Sequence, residues 1–261
     1  MIRTLVSTPP RHWRRMLAVA AIGALACGPA APQGKVGRPP RAEIQAGLCA
    51  PPDDIVRALV LAPREAPYQT WQFDDASLTL LGLGVRIRLR VRPDGSQLTV
   101  KVAGQVCATA APPQVRRREG KCEYDVYAGQ RNGAVSLERA LDAVETRDVL
   151  AGRTPVANVL SPAQVAYLRD IAHAFPLPAA LRPLGPIDNR VYSTPDRKYD
   201  VDLSQLPGGE RYAEISTRVP VPAIDEGLRA MDARLAQAGV AKCADQAGQA
   251  AAKLRLLVER N

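Results

Sequence analysis

An α+β fold with a large antiparallel sheet is what this sequence predicts, on three observations. Three consecutive segments between residues 68 and 127 alternate apolar and polar side chains, and the alternation returns between 190 and 219. Segments with helical spacing lie between and after these strand-rich regions. A period of two is that of a strand, which points its side chains alternately to the two faces of a sheet, whereas spacings of three and four mark a helix. At 261 residues, 46% of them hydrophobic, the chain has ample material for a core.

Residues 1–26 stand apart from that fold. Arg3, Arg11, Arg14 and Arg15 come with no acid among them, and residues 16–26 form an apolar run too short for the roughly 20 residues that span a bilayer. The run closes on Ala24, Leu25 and Ala26, which completes the pattern of a basic region, an apolar region and a small-residue cleavage site. A bacterial secretory signal is expected, with the protein exported to the cell envelope or periplasm. Cys27 follows directly and resembles a lipobox cysteine, which would be acylated and anchor the chain to a membrane. Leu25 stands one place later than the usual leucine, so plain cleavage or a retained anchor stays open. Residues 27–41, with Gly28, Pro29, Pro32, Gly34, Gly37, Pro39 and Pro40, read as a flexible tether, and the folded domain is expected over 42–261.

Export changes how the charge is read. The net charge is +9, but residues 1–41 hold seven cations and no acid, which leaves +2 for the domain. A nucleic-acid footprint is not expected. Setting Cys27 aside, Cys49, Cys107, Cys122 and Cys243 form an even set, as in a protein of an oxidising compartment. Three pairings are possible; Cys107 with Cys122 is preferred because both flank one hairpin, which leaves Cys49 with Cys243. His173 is the domain's one histidine and no Cys-x-x-Cys occurs, which argues against zinc of the usual kind and against a histidine-based triad.

The elements follow in order. Residues 43–48 alternate and form a first strand, and Pro51, Pro52, Asp53 and Asp54 open a short helix. Val85, Ile87, Leu89 and Val91 alternate with Arg86, Arg88, Arg90 and Arg92; the turn at Pro93, Asp94 and Gly95 leads to Leu98, Val100 and Val102, alternating with Gln97, Thr99 and Lys101. Residues 111–120, with Arg116, Arg117 and Arg118, read as an exposed hairpin tip, and Cys122, Tyr124 and Val126 then alternate with Lys121, Glu123, Asp125 and Tyr127. Helices are expected over 136–150, with Leu137, Leu141 and Val144 facing the sheet, and over 161–175, opened by Ser161, Pro162 and Gln164. Strands resume over 190–202 and 212–219, and residues 221–238 form an amphipathic helix with Ile224, Leu228, Met231 and Leu235 on one stripe and Gly239 as its stop.

Like charges side by side on a strand face repel, so the arginine face either looks into open water or lines a cavity that holds a polyanion. Periodicity does not separate the two. The ordered fragments do suggest an answer. Tyr68 to Asp75, then Leu78, Leu80, Gly84 and Arg86-Ile87-Arg88, then Leu98-Thr99-Val100-Lys101, then Lys121-Cys122-Glu123-Tyr124-Asp125, resemble the CYTH superfamily of triphosphate tunnel enzymes. Val201-Asp202, Pro207-Gly208-Gly209, Tyr212 and Glu214-Ile215-Ser216 resemble its second half, and Ala252-Lys253-Leu254 stands where the family often has Ser-Lys-Tyr. The resemblance implies a closed antiparallel β-barrel, a tunnel, with the helices packed outside it.

The resemblance also implies roles. Arg86, Arg88, Arg90, Lys101, Lys121 and Arg218 would hold phosphate oxygens. Glu43, Glu123, Asp125, Asp202 and Glu214 would hold magnesium or manganese, with Glu123 and Glu214 the catalytic carboxylates of a hydrolase attacking the terminal phosphorus with water. The family's first strand reads Glu-x-Glu-x-Lys, and here Gln45 and Gly47 replace its second glutamate and its lysine, while Ser216 replaces a further glutamate. A triphosphate- or polyphosphate-binding protein with metal-dependent hydrolysis is the first expectation. The alternative is a catalytically degenerate binder of phosphate-rich ligands, or a structural envelope lipoprotein.

Overall fold

The computed structural model describes residues 41–105, 107, 120–127, 129–245 and 249–260. The expected signal, Cys27, the tether up to residue 40 and the arginines at 116–118 lie outside the described residues. Within them run β1 (Arg41–Leu48), α1 (Pro52–Ala58), β2 (Ala62–Pro63), β3 (Tyr68–Asp74), α2 (Thr79–Gly82), β4 (Val85–Arg92), β5 (Gly95–Ala103), β6 (Gly120–Tyr127), β7 (Gln130–Leu141), α3 (Ala143–Leu150), α4 (Pro162–Asp170), β8 (Arg182–Ser193), β9 (Asp200–Gln205), β10 (Arg211–Pro220), α5 (Ile224–Ala238) and α6 (Gln249–Arg260).

Nine strands close a ring in the order β8, β3, β4, β5, β7, β6, β1, β10, β9, and β9 pairs back onto β8; the two-residue β2 adds to β8 alone. The barrel is mixed, which corrects the expectation of an antiparallel one. Strand β5 pairs with β7 and not with β6, so the β6–β7 hairpin presents β6 to β1 running in the same direction. A parallel pair needs a long connection, and β1 and β6 have four strands between them in the chain.

The outward faces carry the apolar half of each alternation. Val85, Ile87, Leu89, Leu98, Val100, Val102, Val135 and Leu137 are buried under Val149 of α3 and Tyr167 and Leu168 of α4. Ala42, Ile44, Ala46, Leu48, Val201 and Ile215 are buried under Ile55 of α1 and Ile224, Met231 and Leu235 of α5. Each buried Val, Leu, Ile or Met among them contributes roughly 1.5–3 kcal/mol on leaving water. With both core layers outside the ring, the polar half of the alternation is turned inward.

Local chemistry fixes the ends of the elements. Ser161 accepts from the Gln164 backbone and Gln164 returns the bond; the same buried amide donates to the carbonyls of Leu98 and Leu137, tying α4 to the barrel. The buried Asp74 accepts from the backbone N–H groups of Leu80 and Leu81 and so caps α2. Residues 136–141, expected to be helical, finish β7 instead. Leu137 and Leu141 suit a helical stripe, but with Val135 they also keep a period of two, and pairing with β5 decides the matter. Helix α3 starts only after Asp142, which caps it, and Val144 is exposed. Strand β8 begins at Arg182, eight residues before the expected 190, because Pro183 and Pro186 mask it. The register shift opposite Thr70 and Gln72 accommodates them, and Gly185, at φ 155°, avoids the Thr70 carbonyl that a Cβ would meet at 2.9 Å.

Both preferred disulfides are present, Cys107–Cys122 and Cys49–Cys243. The second fastens the segment before α6 to the end of β1, where Leu48 also bridges to Lys242 and Cys243 donates to the Gly47 carbonyl. Helix α6 then covers that end of the barrel. Its Leu254 and Leu257 are buried against Leu184, Ile187 and Leu206, and Arg260 forms an ion pair with Glu210. Among the described residues no helix is long and apolar enough to cross a membrane.

Candidate functional site

Strand pairing decides which charges meet inside the ring. The parallel register sets Glu43 beside Asp125, and the antiparallel register on its other side sets Glu43 beside Arg218. Carboxylate oxygens of Glu43, Glu123 and Asp125 lie within 4.8 Å of one another. Cations already engage this trio. Lys101 Nζ is 2.6 Å from Asp125 and 3.8 Å from Glu123, and Arg218 is 2.7 Å from Glu43. Burial pushes the Glu43 carboxyl above its ordinary range, opposed by Arg218 and reinforced by Glu123.

Two registers deeper, Gly47, Glu214 and Asp202 lie side by side on β1, β10 and β9. Burial raises the pKa of both carboxyls. Lys253 of α6 enters here with its Nζ 4.6 Å from the centre of the Tyr212 ring. Burial lowers its pKa, against the opposing pull of Glu214 and Asp202. Between the two acidic groups, Gln45 pairs with Ser216, a neutral row where carboxylates were expected from the resemblance.

The arginines of β4 divide into two pairs. Arg86 and Arg88 have no ion-pair partner among the described residues, and burial pulls the Arg88 guanidinium below its ordinary value, with Arg90 adding to the effect. Arg90 and Arg92 both stack on the Tyr68 ring, each 4.8 Å from its centre, and Arg92 also pairs with Glu65 at 3.1 Å. The Tyr68 hydroxyl donates to Asp202 at 3.2 Å, and burial, with Asp202 nearby, pushes it up to about 12.

The expected site residues are thus brought together unequally. Glu43, Glu123, Asp125, Lys101 and Arg218 form one cluster, Asp202 and Glu214 a second, and Arg86 lies close enough to Glu214 to act on its titration. Lys121 joins neither: its side chain is 67% exposed and bonds Glu138. Two inward residues had no role assigned from the sequence, Tyr68 and Lys253. Both lie within fragments that carry the resemblance, but only a tertiary contact shows what each touches. Beside the end where β1 starts, a groove of about 460 Å³ is lined by Glu43, Ser216 and Arg218 together with Tyr199, Gly227 and Ala230.

The trio suits a hard divalent cation, which prefers oxygen ligands and in the case of magnesium takes one or two carboxylates and completes its shell with water and phosphate oxygens. Arginine forks and a lysine on the same inner surface suit a polyphosphate.

A closed barrel with cations and carboxylates on its inner face and helices outside defines the class. The chain has a closed tunnel-barrel fold, as the resemblance to the CYTH superfamily implied. Among solved structures it is similar to a candidate adenylyl cyclase from Hippeastrum, described as having a dominant triphosphatase activity, with a TM-score of 0.53 and 17% identity over 83% of this chain and 98% of that one. It is also similar to a candidate adenylate cyclase from Bacillus halodurans, with a TM-score of 0.54 and 12% identity over 80% of this chain and 97% of that one. No protein-family profile matches the sequence, and no curated protein matches it.

Proposed function

We propose that the protein binds a triphosphate together with magnesium or manganese inside the barrel and hydrolyses it. The observation that carries this reading is the pair Arg86 and Arg88, guanidinium groups without an ion-pair partner among the described residues, on the inner face that also bears the Glu43, Glu123 and Asp125 trio. Burial disfavours the charge on Arg88, and a ligand phosphate offsets that cost.

In this reading Arg86 and Arg88 hold non-bridging phosphate oxygens, and Lys101 shares its charge between the trio and the ligand. Glu43, Glu123 and Asp125 hold the divalent cation, which when bound neutralises phosphate charge and makes the phosphorus easier to attack. Glu214, whose burial makes it hold a proton more readily than an exposed carboxyl, takes the proton from the attacking water. Lys253 keeps Glu214 and Asp202 from repelling the chain of phosphates.

The neutral Gln45–Ser216 row favours a second reading, in which the same site binds a phosphate-rich ligand without turning it over. Export to the envelope or periplasm, with acylation at Cys27, is part of the proposal; the signal pattern and two disulfides support it. The mass of the mature N-terminus separates acylation from plain cleavage.

Purified protein incubated with inorganic triphosphate and magnesium or manganese tests both readings. Phosphate release that is lost in Glu123→Gln establishes the hydrolase. Tight binding without release establishes the binder, and neither binding nor release ends both and leaves a structural envelope role.

A further inference from the structure

The four arginines of β4 stand on one face of one strand, about 6.6 Å apart from one to the next. Arg92 lies towards the end of the barrel where β1 starts, and Arg86 towards the end that α6 covers. Such a ladder could follow a long polyphosphate, yet its members are not equivalent. Tyr68, which precedes the Gln69–Val91 pair of β3 and β4, places its ring 4.8 Å from the guanidinium groups of both Arg90 and Arg92. Its hydroxyl is fixed to Asp202 at 3.2 Å, so the ring is held from both ends. Arg92 is further occupied by Glu65. The Arg90 Nε is buried without an acceptor among the described residues, so Arg90 is turned to the ring and not to a carboxylate.

A guanidinium flat against an aromatic face gains from the ring's charge distribution and is held in one orientation. To grip a phosphate instead, Arg90 or Arg92 would have to leave that ring. Arg86 and Arg88 face no such barrier. At the opposite end, Lys253, Leu254 and Leu257 of α6 bound the space beyond Arg86.

We propose that Tyr68 sets the length of phosphate chain the tunnel accepts: by holding Arg90 and Arg92 on its ring it leaves Arg86 and Arg88 as the free part of the ladder, which matches a short chain. This rests on the reading of the barrel as a phosphate-binding tunnel. Removing the ring frees Arg90 and leaves Arg92 held by Glu65 alone, a partly exposed pair that a phosphate can displace, so the usable ladder lengthens from two arginines towards four. The ligand class is then a short inorganic or organic oligophosphate, with long polyphosphate excluded by side chains already engaged and not by the width of the barrel.

The test compares dissociation constants for inorganic triphosphate and for a long-chain inorganic polyphosphate in the wild type, Tyr68→Leu, Tyr68→Phe and the double variant Tyr68→Leu, Arg92→Gln. Thermal melts confirm folding, and Tyr68→Phe keeps the ring if Tyr68→Leu is not stable. In Tyr68→Leu the preference for the long chain over triphosphate rises about tenfold, Tyr68→Phe leaves most of the wild-type preference in place, and the added Arg92→Gln removes most of the gain. An unchanged preference in a folded Tyr68→Leu overturns the proposal, as does a gain that survives Arg92→Gln. If Tyr68→Leu does not fold, a Tyr68→Phe preference matching the wild type supports the ring's role, and a shifted one overturns it. Wild-type protein that binds neither ligand overturns the tunnel reading itself, and this proposal with it.

Discussion

On β4, Arg86 and Arg88 carry positive charge with no ion pair among the described residues, while on β6 and β1 each of Asp125, Glu123 and Glu43 already has a cation within 4 Å. The same barrel therefore leaves one wall electrically unfinished and finishes the other from within. The difference follows from pairing. Strand β4 lies between β3 and β5, whose residues opposite Arg88 and Arg90 are neutral, Thr70, Gln72, Gln97 and Thr99, and Arg86 faces Lys101, so the register gives these three arginines no carboxylate beside them. Strand β6 lies beside β1, and that parallel contact gathers three carboxylates that would repel one another without Lys101 and Arg218. The arginine wall is arranged for an anion that is not part of the chain, and the carboxylate wall for a cation that has to compete with a lysine.

The largest effect should come from the unfinished wall. Arg88→Met removes a half-buried charge that has no ion-pair partner among the described residues and keeps an unbranched side chain of similar length. Charge-assisted hydrogen bonds contribute about 1.5–3 kcal/mol each, so triphosphate affinity should fall by roughly 10–100-fold in a calorimetric titration. Ligand-free protein should melt higher, because the desolvation cost of the guanidinium is gone. An affinity within twofold of wild type would show that the two walls do not differ in the way described.

A smaller effect is expected at Lys101. Lys101→Met leaves Asp125 and Glu123 without their nearest cation, so the ligand-free barrel loses stability while manganese no longer competes with an ammonium group. Manganese affinity should rise about three- to tenfold, the range of a partly exposed charge pair worth up to about 1 kcal/mol or somewhat more. Titration of the metal alone, without phosphate, reads this directly. Weaker manganese binding would mean that Lys101 organises the trio and does not obstruct it.

What was legible in the sequence follows the same division. The alternation in β4, β5 and β6 is local, so the inward arginines, Lys101, Glu123 and Asp125 could be found from spacing and from the ordered fragments. Which strands become neighbours is not local. The parallel contact of β1 with β6 leaves no trace in either strand, although it is what puts Glu43 beside Asp125. Strand β8 was hidden at its start by Pro183 and Pro186, and the end of β7 by leucines spaced four apart, because each pattern fits a second reading until pairing removes it. Tyr68 and Lys253 belong to the same class: their positions are readable but their contacts, with two arginines and with the Glu214 and Asp202 carboxyls, come from the closing of the ring. Lys121 shows the converse, since alternation alone cannot tell a side chain that joins the carboxylate trio from one that stays exposed and pairs with Glu138.

The carboxylates give the smallest of these effects, and its sign separates the finished wall from the surface. Glu43, Asp202 and Glu214 have pKa values raised chiefly by burial above their ordinary 4.5, 3.8 and 4.5. A raised group contributes stability that is present in full below the unfolded value and is lost as pH rises through the folded one. Asp75, Asp148, Asp170, Asp196 and Glu210 are lowered, chiefly by hydrogen bonds, and act the other way: their contribution is present above the ordinary values and lost only as pH falls through lower ones. The two sets therefore act in different windows. As the pH is lowered from neutrality towards the ordinary carboxyl range, the buried set takes up protons before the same groups do in the unfolded chain, so ligand-free protein should melt a few degrees higher. Manganese should reduce the rise by holding Glu43 ionised, and Glu214→Gln should reduce it further without touching the trio. A melting temperature that falls steadily over the same window would mean that these carboxyls are hydrated in the folded protein and that the barrel interior is open to solvent on the Glu214 side, beyond the reach of α6.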